Sequence, residues 1–330
     1  MPGSNVNWPV PLTRLNPFYP GQPGVPGTDS ETGLRQHVTG ATFWVDPNCT
    51  YAEDNQDGTN PTWPMETVAA AATKCQPYNG DTIAVMFNGA WPYADPTSGY
   101  NLPVSEAITL SVPGVRLVGI APSSSTGVPW QVPTSGGTAI TVTAIDVLIE
   151  GFAFLGNAAV GGTAINAEWD DPVVYGENLT VRHCLFDEDI DTAIDLEYSW
   201  FCDIHHNRFW ECDLYGVYVD PGGSGIAYAA IHHNLFHDIG TGALSMPLAD
   251  DCHIYENSIY NSVAAGLAGA PTNTMIDLTG GNDNQVHHNT LSCILPAAVA
   301  WDYNGCNTAG TDDAWMQNYC MNGPNTTNPT

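Results

Sequence analysis

Ile204-His-His-Asn-Arg-Phe209, Ile231-His-His-Asn-Leu-Phe236, Ile254-Tyr-Glu-Asn-Ser-Ile259 and Val286-His-His-Asn-Thr-Leu291 repeat one pattern along the second half of the chain. Looser copies precede them at Val181-Arg-His-Cys-Leu-Phe186 and Ile149-Glu-Gly-Phe-Ala-Phe154. Counted from the leading aliphatic residue, the steps from 149 onward are 32, 23, 27, 23 and 32 residues. Self-similarity at that period marks a solenoid, in which each unit buries its apolar face only against its neighbours.

A second landmark follows 13 residues after the anchors at 181, 204, 231 and 286: Ala193-Ile194, Gly216-Val217, Ala243-Leu244 and Ala298-Val299. Ala164-Ile165 and Met275-Ile276 lie farther from theirs, so those two units carry insertions of about three and nine residues. Apolar and polar residues alternate around the landmark, as in Ile194-Asp195-Leu196-Glu197 and Val217-Tyr218-Val219-Asp220, which is the period of a strand. No unit has room for a long helix beside at least two strands. The reading is an all-β chain, a right-handed parallel β-helix of roughly eight to ten coils, since parallel crossovers are right-handed. The column Asn207, Asn234, Asn257 and Asn289 is read as structural. Asn tolerates the left-handed backbone of a tight bend, and stacked amides hydrogen-bond up the column.

Residues 1–40 are rich in Pro and Gly and hold no strand-length periodic segment, so they read as an extended arm that orders against a partner through Trp8, Val10, Leu12, Leu15, Phe18 and Tyr19. Residues 41–107 read as an N-terminal cap and first coils, with a helix at about 65–75 laid over the first coil. The β-helix is expected over 108–305, and 306–330 read as a C-terminal cap and tail.

Six basic residues face 35 acidic ones, a formal charge of −29. Phosphate contacts need clustered Lys or Arg, so nucleic-acid binding is excluded. No apolar run approaches the length of a membrane span, and the first residues have no secretory-signal pattern. Of the nine cysteines, those within the coils then read as buried free thiols. In a secreted chain Cys49–Cys75 and a pair among Cys293, Cys306 and Cys320 would be the local bridges.

Phe43-Trp-Val-Asp-Pro, Glu53-Asp-Asn-Gln-Asp-Gly-Thr59, the Ala-rich helix, Gly80-Asp-Thr-Ile and the Ile-His-His-Asn coils together resemble the pectate-lyase-like superfamily of right-handed parallel β-helix proteins, over about residues 42–300. The chain is also similar in general architecture to β-helix proteins of bacteriophage particles. The superfamily includes lyases, glycoside hydrolases, epimerases and tail spikes. Its lyases typically use a Lys or Arg base beside carboxylate-held Ca²⁺. Here the only Lys, Lys74, falls in the capping helix, and Arg182 has His205 and His232 as neighbours rather than a calcium site.

Three constellations carry possible chemistry. Asp195, Glu197, Tyr218 and Asp220 should point outward, because Ile194, Leu196, Val217 and Val219 must point in. Strands about 4.8 Å apart make Glu197 and Asp220 stacked neighbours, with Asn166 and Glu168 on the preceding coil. Carboxylates that close ionise unequally, the arrangement glycoside cleavage uses, and Tyr218, Trp169 and Trp200 are candidates to stack on sugar rings. His205, His232 and His287 form an outward column interrupted by Tyr255, and His183, His206, His233, Glu256 and His288 form a second one; both read as structural ladders rather than metal sites. Glu53, Asn55 and Asp57 partly match the start of a Ca²⁺ loop, but Pro64 stands where the bidentate Glu belongs, so an ordinary acidic turn is the preferred reading and no cofactor is expected.

The leading functional expectation is a structural protein on the surface of a virus particle, a capsid decoration protein or spike attached to other virion proteins by its arm. The resemblance implies a homotrimer. The alternative is a polysaccharide depolymerase of the glycoside-hydrolase kind using Glu197 and Asp220, with Asp195 beside them.

Overall fold

A computed structural model describes residues 40–87, 103–121, 127–133, 136–156, 161–168, 177–197, 199–220, 225–262, 275–294, 307–308 and 311–321. The arm, including Trp8, Leu12, Leu15, Phe18 and Tyr19, lies outside them, as does Trp169.

Three sheets wind around one apolar core. The first has ten strands, from Thr42–Val45 to Ala314–Met316; the second and third have eight each, starting at Val128–Gln131 and Ile108–Leu110. Strands adjacent in a sheet come from successive coils, and every pairing is parallel. The anchors stand in register: Ile149 pairs with Val181, Val181 with Ile204, Ile204 with Ile231, Ile231 with Ile254 and Ile254 with Val286. All six are buried. The landmark residues pair likewise, Ile165 with Ile194, Ile194 with Val217, Val217 with Leu244 and Leu244 with Ile276. Ile276 then pairs with Asn307. The third sheet thus continues at Asn307–Thr308; Ala298-Val299, read above as a copy of the landmark, lie outside the described residues.

The solenoid also runs on where the sequence pattern fades. Trp315 pairs with Val286, and Tyr319–Met321 pairs with the strand Thr290–Ile294. Trp315-Met-Gln-Asn318 is one more copy of the repeat, with an indole at the anchor.

Two corners of each coil are turned by residues in the left-handed region. Gly151, His183, His206, His233, Glu256, His288 and Gln317 form one such column; Asp146, Asn178, Phe201, Tyr228, Asp251, Asp283 and Asp312 form the other. The bend residue is thus the one before each Asn, not the Asn itself. A left-handed residue carrying a side chain costs about 1–2 kcal/mol, so the turn must be held by its surroundings. The buried Asn that follows does this. Asn207 Nδ2 donates to Val181 O at 2.8 Å and to Asn234 Oδ1 at 3.1 Å, while Asn234 Oδ1 also accepts the Asn207 N–H at 3.0 Å. The same bonds link Asn234 to Asn257, Asn257 to Asn289 and Asn289 to Asn318. Gly151 has no such partner, and a Cβ there would meet Gly119 O at 2.7 Å.

Inside the second sheet, Phe154, Phe186, Phe209 and Phe236 stack with centroids 5.2, 4.8 and 4.4 Å apart. The helix is shorter than expected, Val68–Ala72, and buries Val68 and Ala71. Thr67 caps it by accepting from Ala70 N, and the Glu106 carboxylate accepts from Val68 N and Ala69 N. Cys49, Cys75, Cys184, Cys202, Cys212 and Cys252 are free thiols, all buried except Cys49. No helix among the described residues is long and apolar enough to cross a membrane.

Candidate functional site

The outer face of the third sheet gathers the carboxylates. Its strand Thr192–Leu196 alternates as the core requires, with Ile194 and Leu196 buried and Asp195 turned outward. Across the sheet Asp195 pairs with Asn166 on one side and Tyr218 on the other. The next outward position along each strand holds Glu168, Glu197 and Asp220. Glu168 is held by Asn166, whose Nδ2 donates to Glu168 Oε1 at 2.8 Å. Asp195 Oδ1 and Asn166 Oδ1 are buried without a hydrogen-bond partner.

Like charges so placed resist ionisation. Burial, then Glu197, Asp220 and Glu168, push the Asp195 carboxyl up to about 7. Burial, Asp220 and Glu168 raise Glu197 as well. Tyr218 is raised by burial and by Asp220, Tyr215 and Asp195. The rings of Tyr215 and Tyr218 stack at 4.5 Å. Asp195 is thus a carboxylic acid that keeps its proton to near neutral pH, among carboxylates and beside aromatic faces.

The expected residues Asp195, Glu197, Asp220, Tyr218 and Glu168 meet on this face. Trp200 does not join their columns: it is an exposed side chain in the turn leading to the first sheet, where its carbonyl accepts from Asn178 N. Tyr215 had been missed. It is the one landmark-strand residue whose ring lies flat against Tyr218, and its place three residues upstream was the available signal.

The first sheet carries the imidazole ladder. His205, His232, Tyr255 and His287 stack in turn with centroids 5.0, 4.6 and 5.3 Å apart, so Tyr255 continues the column rather than breaking it. Each outward His pairs through Nδ1 with the His that follows it, at 2.8, 2.8 and 2.9 Å. Asp203 Oδ1 lies 3.0 Å from His232 Nε2, and Arg182 is tied to Glu150 at 2.7 Å. Burial above all pushes His205 down to about 4. The Nδ1 atoms are thus engaged with the neighbouring rings, and the rings stack as a ladder.

In the 53–58 loop the carboxylates serve local turns. Asp57 accepts from Thr59 N, and Asp54 accepts from Glu66 N, Thr67 N and Thr67 Oγ1. Lys74 Nζ donates to Gln56 O at 2.6 Å. A cation held by Glu53, Asn55 and Asp57 would have to share that loop with an ammonium group.

No protein-family model and no curated protein matches this chain. Among solved structures it is similar to the native GH136 lacto-N-biosidase from Eubacterium ramulus, with TM-score 0.55 and 10% identity over 86% of this chain and 56% of that one. The chain is a right-handed parallel β-helix. It is also similar to DFA-IIIase from Arthrobacter chlorophenolicus in complex with DFA-III, with TM-score 0.48 and 12% identity over 72% and 66% of the two chains. For Geobacillus virus E2 ORF18 the values are 0.41, 12%, 86% and 60%. The chain spans between about half and two thirds of the length of these structures. At such identities the first likeness carries the fold; the chemistry must come from the chain's own residues.

Proposed function

We propose that this chain is a surface β-helix that binds a glycan along the outer face of its third sheet and cleaves a glycosidic bond there. One observation carries the reading: Asp195 stands on the outer face between Asn166 and Tyr218, its Oδ1 buried and without a hydrogen-bond partner, where burial and then Glu197, Asp220 and Glu168 raise its carboxyl to about 7. Glycoside cleavage needs a protonated carboxyl to deliver its proton to the leaving oxygen, and an ionised one to act on the anomeric carbon or on water. Asp195 fills the first role. Asp220, the exposed member, is placed for the second, and burial, followed by the charge of Glu197, keeps Asp195 protonated. The paired faces of Tyr215 and Tyr218 supply the platform on which a pyranose stacks. In the step itself the proton passes from Asp195 to the glycosidic oxygen as the C–O bond breaks, and water supplies the new hydroxyl, its other proton going to Asp220.

The test is reducing-end release from a panel of neutral and acidic glycans by the full chain, with D195N, D220N and E197Q beside it. Loss of cleavage in D195N and D220N, with glycan binding kept, supports the reading. Cleavage that survives both substitutions sinks it.

A second reading is the virion surface protein, decoration or spike, in which the same rod is purely structural. It is favoured by the formal charge of −29 and by the exposed aromatics Tyr51 and Trp63, whose rings meet edge to face. Mass measurement of native particles checks it, and a chain that never leaves with particles would be evidence against it.

A further inference from the structure

Trp210, His237 and Tyr260 stand in register on successive strands of the second sheet. Their rings stack at 3.9 and 4.8 Å, so the imidazole is held between indole and phenol and only its edge is free. Just past the strands, Glu211 and Asp238 both take left-handed backbone, each at φ 53. Glu211 N donates to His237 O and Asp238 N to Tyr260 O, both at 2.8 Å, which fixes the two turns one above the other. The result places one oxygen of each carboxylate and one imidazole nitrogen within 4.8 Å of one another.

His237 Nδ1 is the telling atom. It is buried and makes no hydrogen bond, although Asp238 Oδ2 lies only 3.3 Å away. Distance permits the bond; alignment does not. If Nδ1 is proton-free, its lone pair confronts a carboxylate oxygen, and a cation between them removes the repulsion. A separation near 3.3 Å is also about the ligand–ligand edge of a tetrahedron whose bonds are ~2.0–2.1 Å long. Asp238 is buried and the His237 ring is clamped, so two of the three donors are already ordered.

We propose that Glu211, His237 and Asp238 bind a divalent transition-metal cation, Zn²⁺ in preference to Ca²⁺ or Mg²⁺. An imidazole and two carboxylates suit Zn²⁺, whereas Ca²⁺ requires six or more oxygens. Glu211 comes from one coil and the other two ligands from the next, so the ion ties neighbouring coils together and keeps a fourth position for water. The site lies on a different sheet from the acidic face, and its occupancy does not depend on glycan cleavage.

The experiment uses the full chain, stripped with EDTA and titrated with Zn²⁺ in a calorimeter and with Co²⁺ by visible absorption. A saturable site is expected, weakened at least about tenfold in E211Q and in D238N, and lost in H237F, which keeps the aromatic stack. Circular dichroism confirms that each variant is folded. Zn²⁺ binding left unchanged by E211Q and D238N overturns the proposal. So does binding abolished by H206N together with H233N, which would assign the ion to the imidazole ladder, and so does the absence of Zn²⁺ binding to the wild-type chain.

Discussion

Asn234 Nδ2 donates to Asn257 Oδ1 at 3.0 Å and to Ile204 O at 2.8 Å, so a single amide fastens three consecutive coils. Its own Oδ1 receives the N–H and the Nδ2 of Asn207. N234A strips these bonds from fully buried partners, at a cost of about 3–4 kcal/mol. Urea denaturation should show a clearly lowered midpoint with the β-sheet signature retained in water. A midpoint within error of wild type would mean the column contributes nothing to holding the left-handed turns.

Phe209 lies between Phe186 and Phe236 with no exposed surface. F209A opens a cavity in the stack and should cost about 3–5 kcal/mol, with F209L restoring much of it. Thermal melts of the two variants test this by their order.

Asp195 makes the chain less stable as pH rises. Its folded carboxyl is raised from 3.8 to about 7, so between those values the folded state holds a proton that the unfolded chain has released. The stabilisation is whole below pH 3.8 and gone above pH 7. D195N should gain on the order of 1–2 kcal/mol over wild type at pH 8, after allowance for solvent screening, and nothing at pH 3.5. Melting curves across that range would show a difference that grows with pH; one independent of pH contradicts the assigned environment. Under the glycan-cleaving reading, activity also falls as pH rises through about 7.

The imidazole ladder works in the opposite direction. His205 is lowered from 6.5 to about 4, chiefly by burial, with His232, His206 and Arg182 adding to it against Asp203. The folded state therefore binds fewer protons than the unfolded one between those values. Stability present above pH 6.5 is lost as pH falls towards 4. H205Y keeps a stacking ring, as Tyr255 already does, but cannot take up the proton. Its stability should decline less steeply than that of wild type between pH 6.5 and 4, by about 1 kcal/mol in total.

The anchors were legible because an aliphatic residue followed by a polar triplet returned at short intervals, and register in a solenoid follows from that return. The third strand of each coil was not separated from the first, since segments such as Leu185–Phe186 are two residues long and appear in the sequence only as the end of the repeated hexapeptide. Asn207 was rightly read as structural, but the left-handed turn was placed on it rather than on His206; sequence shows that the pair recurs and not which member bends. Trp315 was overlooked because an indole had replaced the aliphatic anchor. The acidic face was visible through alternation, which fixes the direction of Asp195, Glu197 and Asp220. Tyr215 was open to the same reading, since it stands on the strand of Tyr218, but the group at Glu211, His237 and Asp238 was hidden, because it depends on where two coils end relative to each other.

Buried sulfur gives this rod a clock. Cys184, Cys202 and Cys252 sit inside different coils, and burial pushes their thiols up to about 12. A thiol held neutral and out of solvent does not meet an alkylating reagent until its own coil opens. In a solenoid whose units touch only their neighbours, opening can begin at an end and travel. The sequence in which these three positions become labelled, followed by mass spectrometry over hours, therefore records the direction in which the molecule unzips and the time each coil takes to let go.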